Sequence, residues 1–573
     1  MNNIYDLQEL TLPALLERSF ALYYEKECVC FVDGKSTTYA HFYEKVHDVM
    51  NQLKAFDIEH GDHVAILSEN MPNWSVAYFA ITALGAIAVP ILPDFHTSEV
   101  HHILKDAPIK GIFVSEKHLD TILEQEENSL MFAINTDTLT MIDELHKTGK
   151  LSEKFEQFKK SAHELREKLL ASKDTGNIEE ETQYRPAEDD LAVLIYTSGT
   201  TGHSKGVMLT HKNLVSNATS THKVVTITPE DRFLSILPLA HTFEATVGML
   251  VPILHGSSIH YLNKTPTPTI LLKTFATVKP TFMLSVPLVI EKICKSKIFP
   301  KFHANIIIDT LYKIPFIRKI IHKAAGKKLM ESFGGEMRFF AIGGAPLSPY
   351  VEKFLLEANF PYAIGYGLTE TAPIIAGTPI GHTKLKSTGP ALHGVELKLR
   401  DFNPQTKQGE IIARGPNVMV GYYKDPERTA EVLDEDGWFE TGDLGYFDED
   451  GYLFISGRSK NVIIGASGEN IYPEQVEATI NEDEYVADSL VYDQDGKLVA
   501  RIHLDYELID KKFASTKHSD SELHDDIEAF LEDMRIKTNK KLSAFSRVTK
   551  YIEQSEPFVK TPTKKIKRYL YIA

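Results

Sequence analysis

The segment from Val64 to Pro93 most constrains the fold, because its hydrophobic periodicity changes from strand to helix and back within a short length. The run HVAILS predicts a strand, WSVAYFAITALGA predicts a helix after the loop ENMPN, and AVPIL predicts a second strand. Two strands joined by such a helix lie parallel in one sheet. Further strand candidates (RFLSILP, FMLSV and MRFFAIGG) alternate with helical patterns. The predicted class is therefore α/β with several layers.

Length and charge limit the classes of protein. A chain of 573 residues is long for one domain, so we expect a large body and at least one further domain. The formal net charge of −17 argues against a nucleic-acid binder, which needs a basic face. Between Glu291 and Lys328, however, ten bases meet only two acids, with Ile, Leu and Phe between them. This stretch either lies on an anionic membrane surface or is the solvated rim of ordinary helices.

The sequence indicates a reducing compartment. Its three cysteines, Cys28, Cys30 and Cys294, cannot form a disulfide framework or a four-cysteine metal site. The start MNNIYDLQEL does not resemble a signal peptide, and the apolar stretch ITALGAIAVPIL is too short to span a bilayer. We therefore expect a cytoplasmic protein without a membrane anchor, with peripheral contact at the inner face of the membrane left open. Nothing in the sequence predicts an oligomeric interface.

Two features divide the chain. An amphipathic helix is predicted from Leu151 to Leu169, within a polar surface insertion over about 138–186 that carries no chemistry. Late in the chain, GYLFISGRSKNVIIGASGENIYPEQVEATI predicts strand, charged turn, strand, glycine turn and helix, and a hairpin around Asp495 and Gly496 follows. We therefore predict a large domain over 1–459 and a small α+β domain over 460–573.

A glycine-rich loop is the first chemical signal. YTSGTTGHSKGVMLTH follows the apolar run LAVLIY, which predicts a strand buried on both faces, and HKNLVSNATS is able to begin a helix. The loop is therefore expected to join a strand to a helix, as phosphate-binding P-loops do. Counted from Gly199, however, the P-loop glycine is Ser204 and its magnesium-binding hydroxyl is Gly206, so a kinase or GTPase is disfavoured. Alone, such a cluster also fits a flexible turn.

Four further motifs stand downstream: HTFE from His241, GYGLTE from Gly365, ETGDLG from Glu440, and GRSKNVIIGASGENIYP from Gly457. In this order the five elements resemble the adenylate-forming enzymes, which include acyl-CoA synthetases, luciferases and peptide-synthetase adenylation domains. SENMPNW, PLAHTFE, IGGAPLSP and GPNVMVGYYKDPERTAEVLDEDGWFETGDLG resemble the long-chain fatty acyl-CoA synthetase branch in particular. The resemblance implies a multi-layered N-terminal domain with parallel and mixed sheets flanked by helices, and a small mobile α+β C-terminal domain.

The resemblance also implies a reaction in two steps. A fatty acid carboxylate attacks the α-phosphate of ATP to give acyl-AMP and pyrophosphate, and the thiol of coenzyme A then displaces AMP. ATP, Mg²⁺ and coenzyme A are the implied cofactors. Two alternatives stay open, namely transfer of the acyl group to a carrier-protein thiol and a non-catalytic binder of acyl groups or nucleotides. The presence of Lys205, Glu370, Asp443 and Lys565 speaks against the binder.

Residue roles are carried over from the family onto matching positions. The β- and γ-phosphates would be held by a loop whose glycines let the backbone approach and whose hydroxyls donate hydrogen bonds. This set is Thr197, Ser198, Gly199, Thr200, Thr201 and Gly202, with Lys205. For the remaining nucleotide contacts, the resemblance implies that Tyr366, next to Gly367, stacks on adenine, that Thr369 faces the α-phosphate, and that Gly344 and Ala345 form a turn against the adenosine. Glu370 would help to hold Mg²⁺, unless it is only an acid at a helix N-terminus.

The remaining roles lie near the domain boundary and beyond it. By the same resemblance Asp443 accepts hydrogen bonds from the ribose, Arg458 lies near the ribose and phosphate, and Lys460 is the hinge. Lys565 matches the catalytic lysine that bridges the carboxylate and the α-phosphate, although Lys564 stands where many relatives have glycine.

Two further elements would contact the acyl group and coenzyme A. His241 would line the acyl-carboxylate pocket, with a buried structural histidine as the alternative, and FEATVGMLVPILHG would wall an acyl tunnel. Ser467 and Gly468 fall where the pantetheine arm of coenzyme A passes. The length of the acyl chain cannot be read from these residues.

Overall fold

The structure is a computed structural model that describes the chain except for residues 1–6, 125–129, 143–183, 198–203, 304–305, 466–468, 514–519, 562–564 and 573. Within the described part, two eight-stranded sheets and a four-stranded sheet precede a three-stranded sheet and a two-stranded ribbon. Helices lie between and around the sheets. This architecture confirms the predicted α/β class with mixed sheets and a smaller C-terminal region.

The first eight-stranded sheet is parallel in its interior and antiparallel at both edges. In spatial order its strands are Ile374–Gly377, Tyr362–Gly367, Phe339–Ile342, Phe282–Ser285, Arg232–Ser235, Ser258–Tyr261, Glu27–Phe31 and Thr37–Thr38. The strands predicted from RFLSILP, FMLSV and MRFFAIGG are all present in it. Their carboxyl ends share one edge, which is where ligands bind in sheets of this type.

The second eight-stranded sheet contains the predicted strand–helix–strand unit, with His63–Leu67 parallel to Ile87–Ile91. In spatial order its strands are Gly421–Tyr422, Lys205–Thr210, Leu191–Thr197, Ile87–Ile91, His63–Leu67, Ile109–Val114, Phe132–Asn135 and Thr140–Met141. The linking helix, Pro72–Ala83, is buried on nearly all sides. One hydrophobic core draws residues from this helix and from both large sheets, so the helix lies between them.

The glycine-rich loop does not join a strand to a helix, and this prediction is wrong. Lys205–Thr210 forms a strand that pairs antiparallel with Leu191–Thr197, so the loop closes a hairpin. KGVMLT is a strand because alternate residues serve different cores: Val207 and Leu209 belong to one, and Met208 packs against the other. The predicted helix HKNLVSNATS is present as His211–Ser220, and it begins after this strand.

The four-stranded sheet is antiparallel and consists of Glu396–Asn403, Gln408–Arg414, Phe439–Phe447 and Leu453–Arg458. The helices of this large N-terminal part run in chain order around the sheets. They are Leu12–Tyr23, Tyr39–Ala55, Pro72–Ala83, Thr97–Asp106, Leu119–Leu123, His211–Ser220, Val251–His255, Pro268–Val278, Pro287–Ile293, Ile306–Tyr312, Pro315–Ser332, Pro349–Glu357 and Pro426–Val432. Two π-helical segments, Glu244–Leu250 and Cys294–Ile298, adjoin two of these helices. Among the described residues, no helix is long and apolar enough to cross a membrane.

The C-terminal region has a core of its own, built from Ile471 onwards. Its strands are Ile463–Ile464, Asn470–Ile471, Val486–Gln494, Lys497–Leu504 and Lys550–Glu553, and its helices are Pro473–Ile480, Tyr506–Phe513 and Asp520–Asn539. The predicted hairpin turns at Asp495 and Gly496, both with positive φ. The division at 459/460 stays a prediction, and the predicted helix 151–169 lies outside the described residues.

Candidate active site

Lys205, Glu370 and Tyr422 form one hydrogen-bonded cluster. The Lys205 ammonium lies 2.8 Å from Glu370 Oε1 and 2.6 Å from the Tyr422 hydroxyl, which itself donates to Glu370 Oε1 at 2.9 Å. Two strand pairings bring them together, because Lys205 starts the strand Lys205–Thr210 and Gly421–Tyr422 pairs with that strand. The ammonium also lies 4.1 Å from the centre of the Tyr422 ring. A fixed cation and a fixed anion thus stand side by side.

The electrostatics of this cluster keep the carboxylate ionised. Burial acts to raise the pKa of Glu370, but the adjacent Lys205 ammonium outweighs it and the pKa is lowered. Burial and the neighbouring carboxylate raise the pKa of Tyr422, so its hydroxyl stays protonated and able to donate. The turn Thr369–Thr371 that carries Glu370 is fixed by the Thr371 hydroxyl, which accepts from the Leu368 amide at 3.0 Å.

A second cluster joins Tyr366, Asp443 and Arg458. The Tyr366 hydroxyl donates to Asp443 Oδ2 at 2.7 Å, and Arg458 Nε lies 2.9 Å from Asp443 Oδ1. Strand register accounts for the second contact, since Asp443 and Arg458 are direct partners on neighbouring antiparallel strands. Burial raises the pKa of Asp443 and Arg458 opposes that rise. The buried Asp443 carboxylate, held by these two donors, therefore lies beside the aromatic ring of Tyr366.

The backbone between these clusters needs glycine at two places. Gly344 has φ +85° in the loop after Phe339–Ile342, which favours glycine. At Gly367 a Cβ would lie 1.8 Å from the carbonyl oxygen of Pro373, so no side chain fits. Gly344 follows one strand and Gly367 ends its parallel neighbour, so both lie at the same edge of the sheet. Gly344, Ala345 and Gly367 are exposed there, so backbone is accessible to a ligand.

Lys565 reaches this site from the C-terminal region. Its side chain is exposed, but the density of protein around it and the Arg458 charge lower its pKa, while Asp443 and Glu370 act in the opposite direction. Its backbone is held by a local turn, in which the Lys565 amide donates to the Thr561 hydroxyl at 3.1 Å. Burial and the Lys565 charge lower the pKa of His241 to about 4, so this imidazole is neutral at pH 7.

The other predicted site residues divide into two groups. Thr197 ends the strand Leu191–Thr197, Thr369 is partly buried in the turn that carries Glu370, and Lys460 is exposed in the turn Ser459–Asn461. Among the described residues, the Thr197 hydroxyl is buried without a hydrogen-bond partner. The remaining predicted residues lie outside the described part of the chain. They are Ser198, Gly199, Thr200, Thr201, Gly202, Ser467 and Gly468.

Two residues without a predicted role, Tyr422 and Glu244, lie in the site region. Tyr422 bridges Lys205 and Glu370, and its only signal was its place in the quoted segment GPNVMVGYYKDPERT. Glu244, the acid of HTFE, is buried at the start of the π-helical segment Glu244–Leu250, and burial raises its pKa to about 8. A Cβ at Gly248 would lie 2.8 Å from this carboxyl group, so glycine leaves it room. π-Helical turns are frequent at functional sites.

The side chains of the site fit a magnesium ion that is bound partly by the protein and partly by the phosphates of a nucleotide. Among the described residues, no group of three or more His, Cys, Asp or Glu side chains could hold a metal ion. Glu370 nevertheless offers one ionised, buried carboxylate at the site. Mg²⁺ binds through one or two carboxylates and takes its other oxygen ligands from phosphates and water. The site therefore suits magnesium only together with a phosphate ligand.

Comparison with known proteins gives a consistent result. The sequence model of the family described as AMP-binding enzyme matches residues 16–423. Long-chain-fatty-acid–CoA ligase 1 of Cavia porcellus is 30% identical over 92% of this chain and 80% of its own length. A 3-[(3aS,4S,7aS)-7a-methyl-1,5-dioxo-octahydro-1H-inden-4-yl]propanoyl:CoA ligase of Rhodococcus jostii is also 30% identical, over 84% of this chain and 86% of its own.

The fold matches solved structures as well. The anthranilate CoA ligase AuaEII, solved in complex with anthranoyl-AMP, superimposes with a TM-score of 0.75 and covers 98% of this chain and 96% of its own. Its sequence identity is 22%, so the match concerns the fold. The superposition includes the C-terminal region, which the family model does not reach.

Proposed function

This chain belongs to the family of AMP-binding enzymes, and on that premise we propose that it is a long-chain fatty acid:CoA ligase that forms AMP. It activates the fatty acid with ATP to acyl-AMP and pyrophosphate, and then forms the thioester with coenzyme A. The observation that carries the proposal is that Lys565, from the C-terminal region, interacts electrostatically with both Asp443 and Glu370, one acid of each cluster. Attack of a carboxylate on the α-phosphate of ATP develops negative charge, and a cation held near that phosphate would stabilise it.

In the proposed first step, Lys205 binds the β- and γ-phosphates together with Thr197 and the loop Ser198–Gly202. Its ion pair with Glu370 keeps the ammonium at the strand edge before the nucleotide arrives. Tyr422 supports this arrangement by donating to the same carboxylate oxygen. Glu370 would hold Mg²⁺, which neutralises negative charge on the triphosphate when bound.

The nucleoside would bind over the second cluster. Tyr366 stacks on adenine while its hydroxyl holds Asp443, which accepts from the ribose hydroxyls. Arg458 pairs with that carboxylate, which favours its charged form, and would lie towards the phosphates. The exposed backbone of Gly344, Ala345 and Gly367 supplies close contact without side chains, and Thr369 faces the α-phosphate. Lys565 then stabilises the charge that develops between the fatty acid carboxylate and this phosphate.

For the second step we propose a rotation of residues 460–573 about Lys460. This residue is exposed two residues after Arg458, where little packing resists a change of backbone angle. Rotation removes Lys565 from the cleft and brings Ser467 and Gly468 to the pantetheine arm. The division into 1–459 and 460–573 is part of the same proposal.

Long-chain specificity rests on the acyl side of the site. Phe243, two residues after His241, packs against a cluster of buried apolar residues that includes a pair of stacked rings, Phe233 and Phe282, with ring centres 4.7 Å apart. The neutral His241 suits a pocket that accepts a carboxylate. The Cavia porcellus relative is named for long-chain fatty acids, which supports this choice. The Rhodococcus jostii relative is named for a bicyclic acid, so acids with rings are the competing class.

The test is product analysis by mass spectrometry. The full chain is incubated with ATP, Mg²⁺ and an equimolar mixture of fatty acids from octanoate to stearate plus a bicyclic propanoic acid, with and without coenzyme A. Acyl-CoA and AMP formed from the longer acids support the proposal and rank the chain lengths. Acyl-AMP that accumulates despite coenzyme A would indicate a carrier-protein acceptor, and absence of nucleotide turnover would indicate a non-catalytic binder.

A further inference from the structure

The basic stretch found in the sequence has an unusual exposed surface. Ile306 is 85% exposed, Ile307 72% and Phe316 73%, in the helix Ile306–Tyr312 and at the start of Pro315–Ser332. Leu311, Ile314 and Ile320 are exposed as well. We call this set of six residues the apolar tip. Large apolar side chains clustered on a surface mark an interaction site, whereas single ones need no explanation.

The fold holds the apolar tip outward. The inner face of Pro315–Ser332 is fixed by a bidentate ion pair between Arg318 and Glu357, with distances of 3.0 and 2.8 Å. The buried Tyr312 hydroxyl contacts His322 Nε2 at 2.8 Å, which ties the two helices together. At Gly326 a Cβ would lie 2.7 Å from that of Ala358, so the helix is packed closely there. Turning the helix to bury the apolar tip would break these contacts.

Lysines continue the same outer face. Phe316, Ile320, Lys323 and Lys327 follow at spacings of four, three and four residues, so the face begins apolar and becomes basic before Glu331 near the helix end. Lys319 is exposed beside them, and Lys323 and Lys327 are exposed too. In the part of the chain that the structure describes, none of these three lysines has an ion-pair partner. The face therefore combines apolar side chains with unneutralised positive charge.

This face is positively charged in a chain whose net charge is negative. The stretch from Glu291 to Lys328 has ten bases and two acids in a chain with a formal net charge of −17. Of the two acids, Asp309 pairs with Lys313 at 2.8 Å, and Glu291 accepts the Ser348 amide at 2.7 Å. An anionic surface would repel most of this protein and attract this face.

We propose that this face binds the surface of an anionic lipid bilayer, with the apolar tip among the acyl chains and Lys319, Lys323 and Lys327 at the phosphate headgroups. Insertion of apolar side chains together with attraction of lysines to anionic lipids is the physical basis of interfacial helix binding. A second copy of the chain is disfavoured as the occupant, because a two-fold contact would place like-charged lysines opposite one another.

The test is flotation of the full chain with vesicles of phosphatidylcholine alone or with 30% phosphatidylglycerol. We expect binding to the anionic vesicles to be at least tenfold stronger, and to weaken as salt is raised. The triple variant Ile306→Ser, Ile307→Ser and Phe316→Ser should bind at least tenfold more weakly. A charge variant, Lys319→Glu with Lys323→Glu, should lose the preference for anionic lipid.

A matched control removes apolar surface elsewhere. Phe402 and Phe545 are 51% and 48% exposed in other parts of the fold, so Phe402→Ser with Phe545→Ser should bind vesicles like the wild type. Unchanged thermal unfolding of each variant shows that the fold is kept. Failure of the wild type to bind anionic vesicles, or equal binding by the triple variant, would overturn the proposal. Sedimentation that shows a dimer dissociated by the triple variant would assign the face to a second copy instead.

Discussion

Replacing Lys565 by alanine should separate the two half-reactions. The ammonium lies in the cleft with Asp443 and Glu370, whose charges act on it, and it would meet developing negative charge only during adenylation. Removal of one such preorganised charge costs about 3 kcal/mol of transition-state stabilisation, which is about a hundredfold or more in rate. Pyrophosphate exchange into ATP measures the first half-reaction. Release of AMP from supplied acyl-AMP and coenzyme A measures the second, which we expect to stay within a few-fold of the wild type.

Lys567→Ala is the matched control for this experiment. It removes an identical side chain two residues away and keeps the backbone contact of Lys567, whose amide donates to the Val559 carbonyl at 2.9 Å. The control should leave both rates near those of the wild type. If Lys565→Ala slowed both half-reactions equally, the lysine would act on the structure of the whole site, and the reasoning from its place in the cleft would fail.

Four further changes test other parts of the structure. Glu370→Gln should raise the Mg²⁺ concentration for half-maximal rate by about ten- to a hundredfold, since a charged ligand is lost; an unchanged titration would exclude it as a ligand. Lys460→Pro should slow thioester formation and spare adenylation, as measured by the same two assays. Burial lowers the pKa of His211 to about 4, so between pH 6.5 and pH 4 the unfolded chain binds a proton at this residue and the native state does not. The free energy of unfolding in urea should therefore fall by about 2 kcal/mol more between pH 7 and pH 5 in the wild type than in His211→Gln. Gly367→Ala should lower the free energy of unfolding by about 3 kcal/mol, because its Cβ would meet a carbonyl oxygen at 1.8 Å. Gly365→Ala, whose Cβ would meet nothing closer than 4.0 Å, should cost much less.

The hairpin at the glycine-rich loop shows where local patterns mislead. The prediction counted KGVMLT as part of a loop that leads into the helix HKNLVSNATS. KGVMLT is instead held as a strand by its neighbours, Leu191–Thr197 on one side and Gly421–Tyr422 on the other. The second neighbour lies far along the chain, so this pairing leaves no mark on the local sequence. The outcome matters for the site, since it puts Lys205 beside Tyr422.

The basic stretch between Glu291 and Lys328 is a second feature that the sequence pattern alone did not settle. Composition alone left both a membrane-facing surface and a solvated rim open, because both contain the same residues. The structure distinguishes residues that look alike in sequence: Leu329 is buried, whereas Ile306 and Phe316 are among the exposed residues. Which face of an amphipathic helix meets the core depends on the helix against which it packs.

The sequence by itself determined the α/β class, the strand–helix–strand unit, the C-terminal hairpin and the family, because periodicity, turn residues and motif spacing are local properties of the chain. Only the tertiary structure decided which motifs meet. Tyr366 reaches Asp443 and Lys205 reaches Tyr422 across separations of 77 and 217 residues. Those contacts depend on strand order and register. Lys565 joins them through the position of the C-terminal region, so the site exists only once both parts of the chain have folded and come together.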